Sequence, residues 1–174
     1  MSTKFPYQKY EILPSLYLSK FPQQWDLHGI THVLNMCREP HPPNPSRTYK
    51  HIELDDIDDI TPHIGTIISY ISSAMQQNGR VLIHCALGLN RSAAATIAYL
   101  CHHHHNNIIS AEALHFVKER KSDVRPGAIF LGQINQYFGR QGDTSEDALV
   151  GFHRRLEMRK KGLLEATKEG TECL

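Results

Sequence analysis

The chain has 174 residues, 40% of them hydrophobic and 21% charged, with a formal net charge of +1. That length suffices for one ordinary domain with its own core, and the near-neutral balance argues against a general binder of nucleic acid or membrane surfaces. No apolar run approaches the ~20 residues of a membrane span, and the start Met1-Ser2-Thr3-Lys4-Phe5-Pro6 lacks the apolar core of a secretory signal, so a cytoplasmic or nuclear protein is expected.

Four cysteines, Cys37, Cys85, Cys101 and Cys173, are scattered without metal-ligand or disulfide-framework spacing, which suits a reducing compartment where a thiol stays free. Tyr10 to Leu18 reads as two extended pieces broken by a turn at Pro14-Ser15. Trp25 and Leu27 follow in a short helix that Gly29 can end by taking the left-handed conformation. Ile30 to Met36 is an apolar strand, Pro40 to Pro45 a proline-rich loop, and Tyr49 to Leu54 a further strand. Thr61-Pro62 starts a helix, with threonine as N-cap and proline at the first helical position. Ile64, Ile67, Ile68, Ile71 and Met75 then share one face, and Asn78-Gly79 ends the helix before a strand from Val81 to Ile83.

After Ser92, the run Ala93 to Leu100 has no polar face and reads as a buried helix. Ser110 caps another helix carrying Leu114 and Val117, and a last one beyond Pro126 carries Phe130, Ile134, Tyr137 and Phe138 at core spacing. Strands alternating with helices predict an α/β fold with a central, mostly parallel twisted sheet flanked by helices. From about Gln141 the composition shifts to charged residues, including Arg154, Arg155, Arg159, Lys160 and Lys161. Residues 9–141 are thus the expected main domain and 142–174 an appended helix or flexible tail.

The chemistry concentrates in Val81-Leu82-Ile83-His84-Cys85-Ala86-Leu87-Gly88-Leu89-Asn90-Arg91-Ser92. Cys85 falls beyond the carboxyl end of a strand, where ligands of such sheets sit. A catalytic thiol needs a positive local field, and a helix N-terminus with nearby cations can lower its pKa to ~3.5–7.5. The backbone N–H groups of Ala86, Leu87, Gly88, Leu89, Asn90 and Arg91 can turn inward as an anion nest at the start of the following helix. Gly88 permits the torsions of that curl. Arg91 can meet two phosphate oxygens at once, and Ser92 can hydrogen-bond the thiolate. The loop therefore points to covalent catalysis through a cysteinyl-phosphate.

This Cys-x5-Arg loop and its flanks resemble those of the cysteine-based protein phosphatases, in particular the small (atypical) dual-specificity branch, over roughly residues 10 to 140. Ile12-x-Pro14-x-Leu16-Tyr17-Leu18, Gly29 to Asn35, Gly79 to Ala93, Ser110-x-x-x-Ala113-Leu114 and Phe130-Leu131-x-Gln133 carry the resemblance. It implies a protein tyrosine phosphatase-like fold. Ser19 stands where the family has glycine, Asn90 where it has serine, and Gly127 where it has a loop-supporting asparagine.

The resemblance also implies a general acid, an aspartate in the loop after the strand ending near Leu54. Counting from the strand selects Asp56, which is the expected acid, and counting back from the cysteine selects Asp55, the runner-up; Asp58 and Asp59 read as a solvated turn. His84 either orients the loop and tunes the thiolate or is a satisfied core histidine. Cys37 should lie on the same side of the sheet as Cys85, which makes it a candidate redox partner, against the simpler reading of a half-buried free thiol. No cofactor or metal is expected: the arginine and the nest supply the charge, and four consecutive residues, His102 to His105, cannot converge on one ion in a helix. The expected function is hydrolysis of phosphotyrosine and of phosphoserine or phosphothreonine in a protein, by a monomer. The uncharged loop interior favours protein substrates over phosphoinositide or RNA 5′-phosphate. The alternative is a pseudophosphatase that captures phosphorylated partners without turnover.

Overall fold

Strand β1 (Lys9–Leu13) and strand β2 (Leu16–Ser19) pair antiparallel about the Pro14-Ser15 turn, where Ser15 takes φ +68°. The computed structural model describes residues 7–42, 44–103 and 108–140. The expected tail, 142–174, lies outside the described residues, as do His104, His105 and Cys173. Three further strands, β3 (His32–Asn35), β4 (Thr48–His51) and β5 (Val81–His84), complete a sheet of order β1-β2-β5-β3-β4. Every pairing except that of β1 with β2 is parallel. β5 is central and buried along its whole length, as expected of a strand covered on both faces.

Alternation along the strands separates two cores. Leu16, Leu18, Leu34, Val81 and Ile83 join the core built from the helices, whereas Tyr17, Val33 and Leu82 face Leu27 and Ile30. The helical layer comprises α1 (Thr61–Gln76), α2 (Arg91–His103), α3 (Ser110–Lys118) and α4 (Ala128–Tyr137). In α1 the predicted stripe of Ile64, Ile67, Ile68 and Ile71 is buried, and each such side chain stabilises the fold by ~1.5–3 kcal/mol. Every residue of α2 from Ser92 to Cys101 is buried, as its lack of a polar face requires.

Several details depart from the sequence reading. Thr61 is the first residue of α1 rather than its cap; Ile60 occupies the cap position, and Asp59 Oδ1 accepts the Thr61 N–H at 2.9 Å. Ser110 likewise begins α3 behind Ile109, and its N–H donates to Asn135 Oδ1 at 2.8 Å. Trp25, in the short 3-10 helix Gln24–Leu27, and Tyr137, near the end of α4, are exposed, while Phe130 and Ile134 are buried as expected. Gly29 takes φ +76° after the short helix, and Asn78 takes φ +57° after α1. Among the described residues no helix is long and apolar enough to cross a membrane.

Candidate active site

β5 delivers Cys85 to the carboxyl edge of the sheet, and α2 begins six residues later at Arg91. Between them the backbone curls through Gly88 at φ +70°. A Cβ on Gly88 would stand 2.5 Å from the carbonyl carbon and oxygen of Ser19 and 2.6 Å from the Lys20 nitrogen. Glycine is therefore required twice here, for the torsion and for the close approach to the end of β2. The loop carbonyls are engaged from outside: Ala86 C=O accepts from Phe21 N–H at 3.2 Å, and Leu89 C=O from Arg125 N–H at 2.9 Å. Asn90 C=O accepts the first helical bond, from Ala94 N–H at 2.8 Å.

The Cys85 Sγ lies 3.1 Å from Ser92 Oγ, and both residues are buried. Burial pushes the thiol up, but the Ser92 hydroxyl, backbone N–H groups of Ser92 and Gly88 and the Arg91 guanidinium outweigh it and hold Cys85 below the ordinary thiol value. The opposite holds for Cys37, whose thiol burial raises to about 11, with a further upward push from Cys85. Cys101, buried in α2, is raised to about 12 by burial. Cys37, Cys85 and Cys101 are all free thiols.

Arg91 is anchored on one edge, its Nη1 donating to Leu54 C=O at 3.1 Å and to Met36 C=O at 3.4 Å. Its Nε stands 3.0 Å from Asp56 Oδ1, yet the N–H is off-line and makes no hydrogen bond, so this is a charge contact. Asp56 Oδ1 also accepts from Asn90 Nδ2 at 2.9 Å. Asp55, one residue earlier, is engaged instead by Arg38 through Nε at 2.9 Å and through Nη2. That hydrogen bonding holds the Asp55 carboxyl below the ordinary carboxylate value. The fold thus brings Cys85, Arg91, Ser92 and Asp56 together, while the Asp55 carboxylate pairs with Arg38 and still feels the Arg91 charge.

His84 is fully buried behind the loop, with Nε2 2.7 Å from His41 Nε2 and Nδ1 4.0 Å from Cys37 Sγ. Burial, aided by His41, lowers His84 to about 3, so it is neutral and adds no charge to the loop. His41 stacks on Phe21 at 4.8 Å and is lowered by burial in turn. His41 and Arg38 escaped the sequence reading because both lie between β3 and β4, where no local pattern marks a partner. The two atypical positions, Asn90 and Gly127, meet: Gly127 N–H donates to Asn90 Oδ1 at 2.8 Å.

Residues 13–140 match the family model for the dual specificity phosphatase catalytic domain. The chain is 37% identical over 134 residues to dual specificity protein phosphatase 2 of Mus musculus, an alignment covering 72% of this chain and 42% of that protein. It is 31% identical over 174 residues to dual specificity protein phosphatase 5 of Homo sapiens, covering 87% and 44% respectively. The chain thus spans less than half the length of these curated relatives. Among solved structures it resembles human DUSP28(Y102H), with TM-score 0.68 and 26% identity over 76% of this chain and 94% of that one. Human tyrosine phosphatase-like serine/threonine/tyrosine-interacting protein is similar at TM-score 0.67 and 26% identity, over 75% of this chain and 95% of that one. With this domain match, these neighbours of catalytic-domain length and a Cys-x5-Arg loop at the carboxyl edge of the sheet, the chain belongs to the dual specificity phosphatase family, in its small atypical branch.

Proposed function

We propose that this chain is a protein phosphatase that hydrolyses phosphotyrosine and phosphoserine or phosphothreonine through a cysteinyl-phosphate. The observation that carries the reading is the buried Cys85 thiol, 3.1 Å from Ser92 Oγ and held below its ordinary value by Ser92, by backbone N–H groups and by the Arg91 guanidinium. In the reaction the backbone N–H groups of residues 86–91 and the free edge of Arg91 hold the phosphate oxygens. The Cys85 thiolate attacks phosphorus; the S–P bond forms as the bond to the leaving oxygen breaks, and the Asp56 carboxylic acid gives that oxygen its proton. The resulting Asp56 carboxylate then takes a proton from water as the water oxygen attacks phosphorus. Cys85 departs as a thiolate, stabilised by Ser92.

Asp56 is favoured over Asp55 because its carboxylate reaches Arg91 and Asn90, whereas Asp55 pairs with Arg38. Its side chain is 61% exposed, which supports a shallow site open to both aryl and alkyl phosphates of a protein. We assign residues 9–141 as the catalytic domain, 142–174 as an appendage, and a monomer working without metal in the cytoplasm or nucleus. Cys37, buried and raised in part by the charge of Cys85, is its candidate redox partner. The likeness to a tyrosine phosphatase-like interacting protein supports one second reading, a phosphoprotein-binding adaptor.

Hydrolysis of p-nitrophenyl phosphate and of phosphotyrosine and phosphoserine peptides, in the presence of chelator, separates the two. Turnover by the wild type and none by Cys85→Ser is expected. Phosphopeptide binding with no turnover by the wild type would establish the adaptor.

A further inference from the structure

The Asn90 carboxamide spans two loops. Its Oδ1 accepts from Gly127 N–H at 2.8 Å, and its Nδ2 donates to Asp56 Oδ1 at 2.9 Å. The orientation of the amide is dictated by its partners: an N–H must face oxygen and a carboxylate must face NH2, so the flipped amide would satisfy neither. The base of the side chain is equally fixed. Asn90 C=O closes the first turn of α2 on Ala94, and the preceding Leu89 C=O is held by Arg125 N–H. The residue is therefore clamped at both ends of its backbone and at one end of its side chain, with a single group left to point at Asp56.

Arg91 cannot perform the same service during the reaction. Its Nη1 edge is committed to Leu54 and Met36, so the edge bearing Nε must turn to the phosphate, and Nε is the atom now opposite Asp56. A phosphate dianion arriving there competes with the carboxylate for the guanidinium and repels it. A neutral amide has no charge to surrender to the phosphate. It can donate to Asp56 Oδ1 whether the other oxygen carries a proton or not, since a protonated carboxyl keeps an accepting oxygen.

We propose that Asn90 is the positioning residue of the general acid: it retains Asp56 over the leaving group when Arg91 exchanges the carboxylate for phosphate. Oδ1 stays on Asn90, and Oδ2 carries the proton to the leaving oxygen as the P–O bond breaks and the S–P bond to Cys85 forms. The assignment rests on the reading of Asp56 as the acid. Gly127 takes part through its backbone, as the fixed donor that aims the amide.

The test compares p-nitrophenyl phosphate, whose leaving group needs little protonation, with phenyl phosphate, whose leaving group needs more. Wild type, Asn90→Ala, Asp56→Asn and the double variant are assayed on both. Asn90→Ala is expected to lose roughly ten-fold or more activity on phenyl phosphate beyond its loss on p-nitrophenyl phosphate, and to add little in the Asp56→Asn background. Equal losses on the two substrates, or additive losses in the double variant, overturn the role of Asn90 while leaving the acid in place. Asp56→Asn losing equally on both substrates removes the acid reading, and this proposal with it. If Asn90→Ala fails to fold, Gly127→Pro serves instead, because φ −61° at Gly127 suits proline, and the ring both removes the N–H and places Cδ where it displaces the Asn90 amide. A smaller loss with the same substrate dependence supports the proposal, and a loss without that dependence contradicts it.

Discussion

Asp55 and Asp56 are adjacent in the chain but make their direct contacts with different arginines: Asp55 is forked by Arg38 at the surface, while Asp56 lies 3.0 Å from the buried Nε of Arg91. Replacing each in turn separates their roles. Asp56→Asn should reduce kcat on phosphotyrosine peptide by about 100-fold or more, the scale of a lost general acid. Asp55→Asn removes only an exposed ion pair and should leave kcat within about three-fold, since such pairs contribute little. Steady-state kinetics on both variants check this, and a reversed pattern would move the acid to Asp55.

Ser92 donates toward the Cys85 sulfur and is among the groups that hold its thiol down against burial. Activity that needs the thiolate rises with pH through the Cys85 titration. Ser92→Ala should therefore shift the acidic limb of the kcat/KM profile to higher pH. It should also slow breakdown of the phosphoenzyme by about ten-fold, as for a lost hydrogen bond to a charged group. An unmoved limb would show that the hydroxyl does not act on the thiolate.

Gly88 and Gly127 make opposite predictions for alanine. At Gly88 a Cβ meets the Ser19 backbone at 2.5 Å under φ +70°, so Gly88→Ala should cost about 2–4 kcal/mol and abolish phosphate binding. At Gly127 the Cβ would sit 3.8 Å from Asn90 Oδ1 under φ −61°, an ordinary contact, and the N–H is retained. Gly127→Ala should change stability by no more than about 0.5 kcal/mol and keep activity. Denaturant melts and p-nitrophenyl phosphate assays of the pair measure both.

His84 ties stability to pH. Its folded-state value is about 3 against an ordinary 6.5, so between those values the unfolded chain binds a proton that the folded one refuses. Stability from this group is complete above about pH 6.5 and falls as the pH drops, by about 2 kcal/mol at pH 5. Urea midpoints for the wild type should decline between pH 7 and 5, and less steeply in His84→Asn. Identical slopes would remove His84 as the cause.

Mild peroxide should convert the Cys85 thiolate to a sulfenic acid, which the Cys37 thiol resolves to a disulfide with loss of water. Inactivation by peroxide should then be reversed by dithiothreitol in the wild type and become irreversible in Cys37→Ser. Peptide mapping of the oxidised protein detects the Cys37–Cys85 crosslink, and its absence contradicts the pairing.

Local features of the sequence proved readable where the physics is local. The Pro14-Ser15 turn, the isoleucine face of α1 and the all-buried α2 each depend on neighbours within a few residues. The choice between Asp55 and Asp56 does not, because the turn that aims them is fixed by Arg38 and Arg91, far away in the chain. Asn90 and Gly127 look like two separate departures from a family pattern when read in sequence. Across 37 residues they form one hydrogen bond, from Gly127 N–H to Asn90 Oδ1. His41 against His84 was likewise invisible, since its loop carries no periodicity that reports what it packs on. Tyr137 had core spacing yet is exposed, because α4 buries Phe130 and Ile134 and ends beside the surface.

The covalent intermediate offers the most direct measurement. Asp56→Asn, mixed with p-nitrophenyl phosphate and quenched in acid within the first turnover, should carry one phosphoryl group on the peptide containing Cys85, because loss of the base slows hydrolysis of the S–P bond. Release of p-nitrophenol with Cys85 unmodified throughout, or a phosphoryl group on any other residue, would contradict nucleophilic catalysis by Cys85.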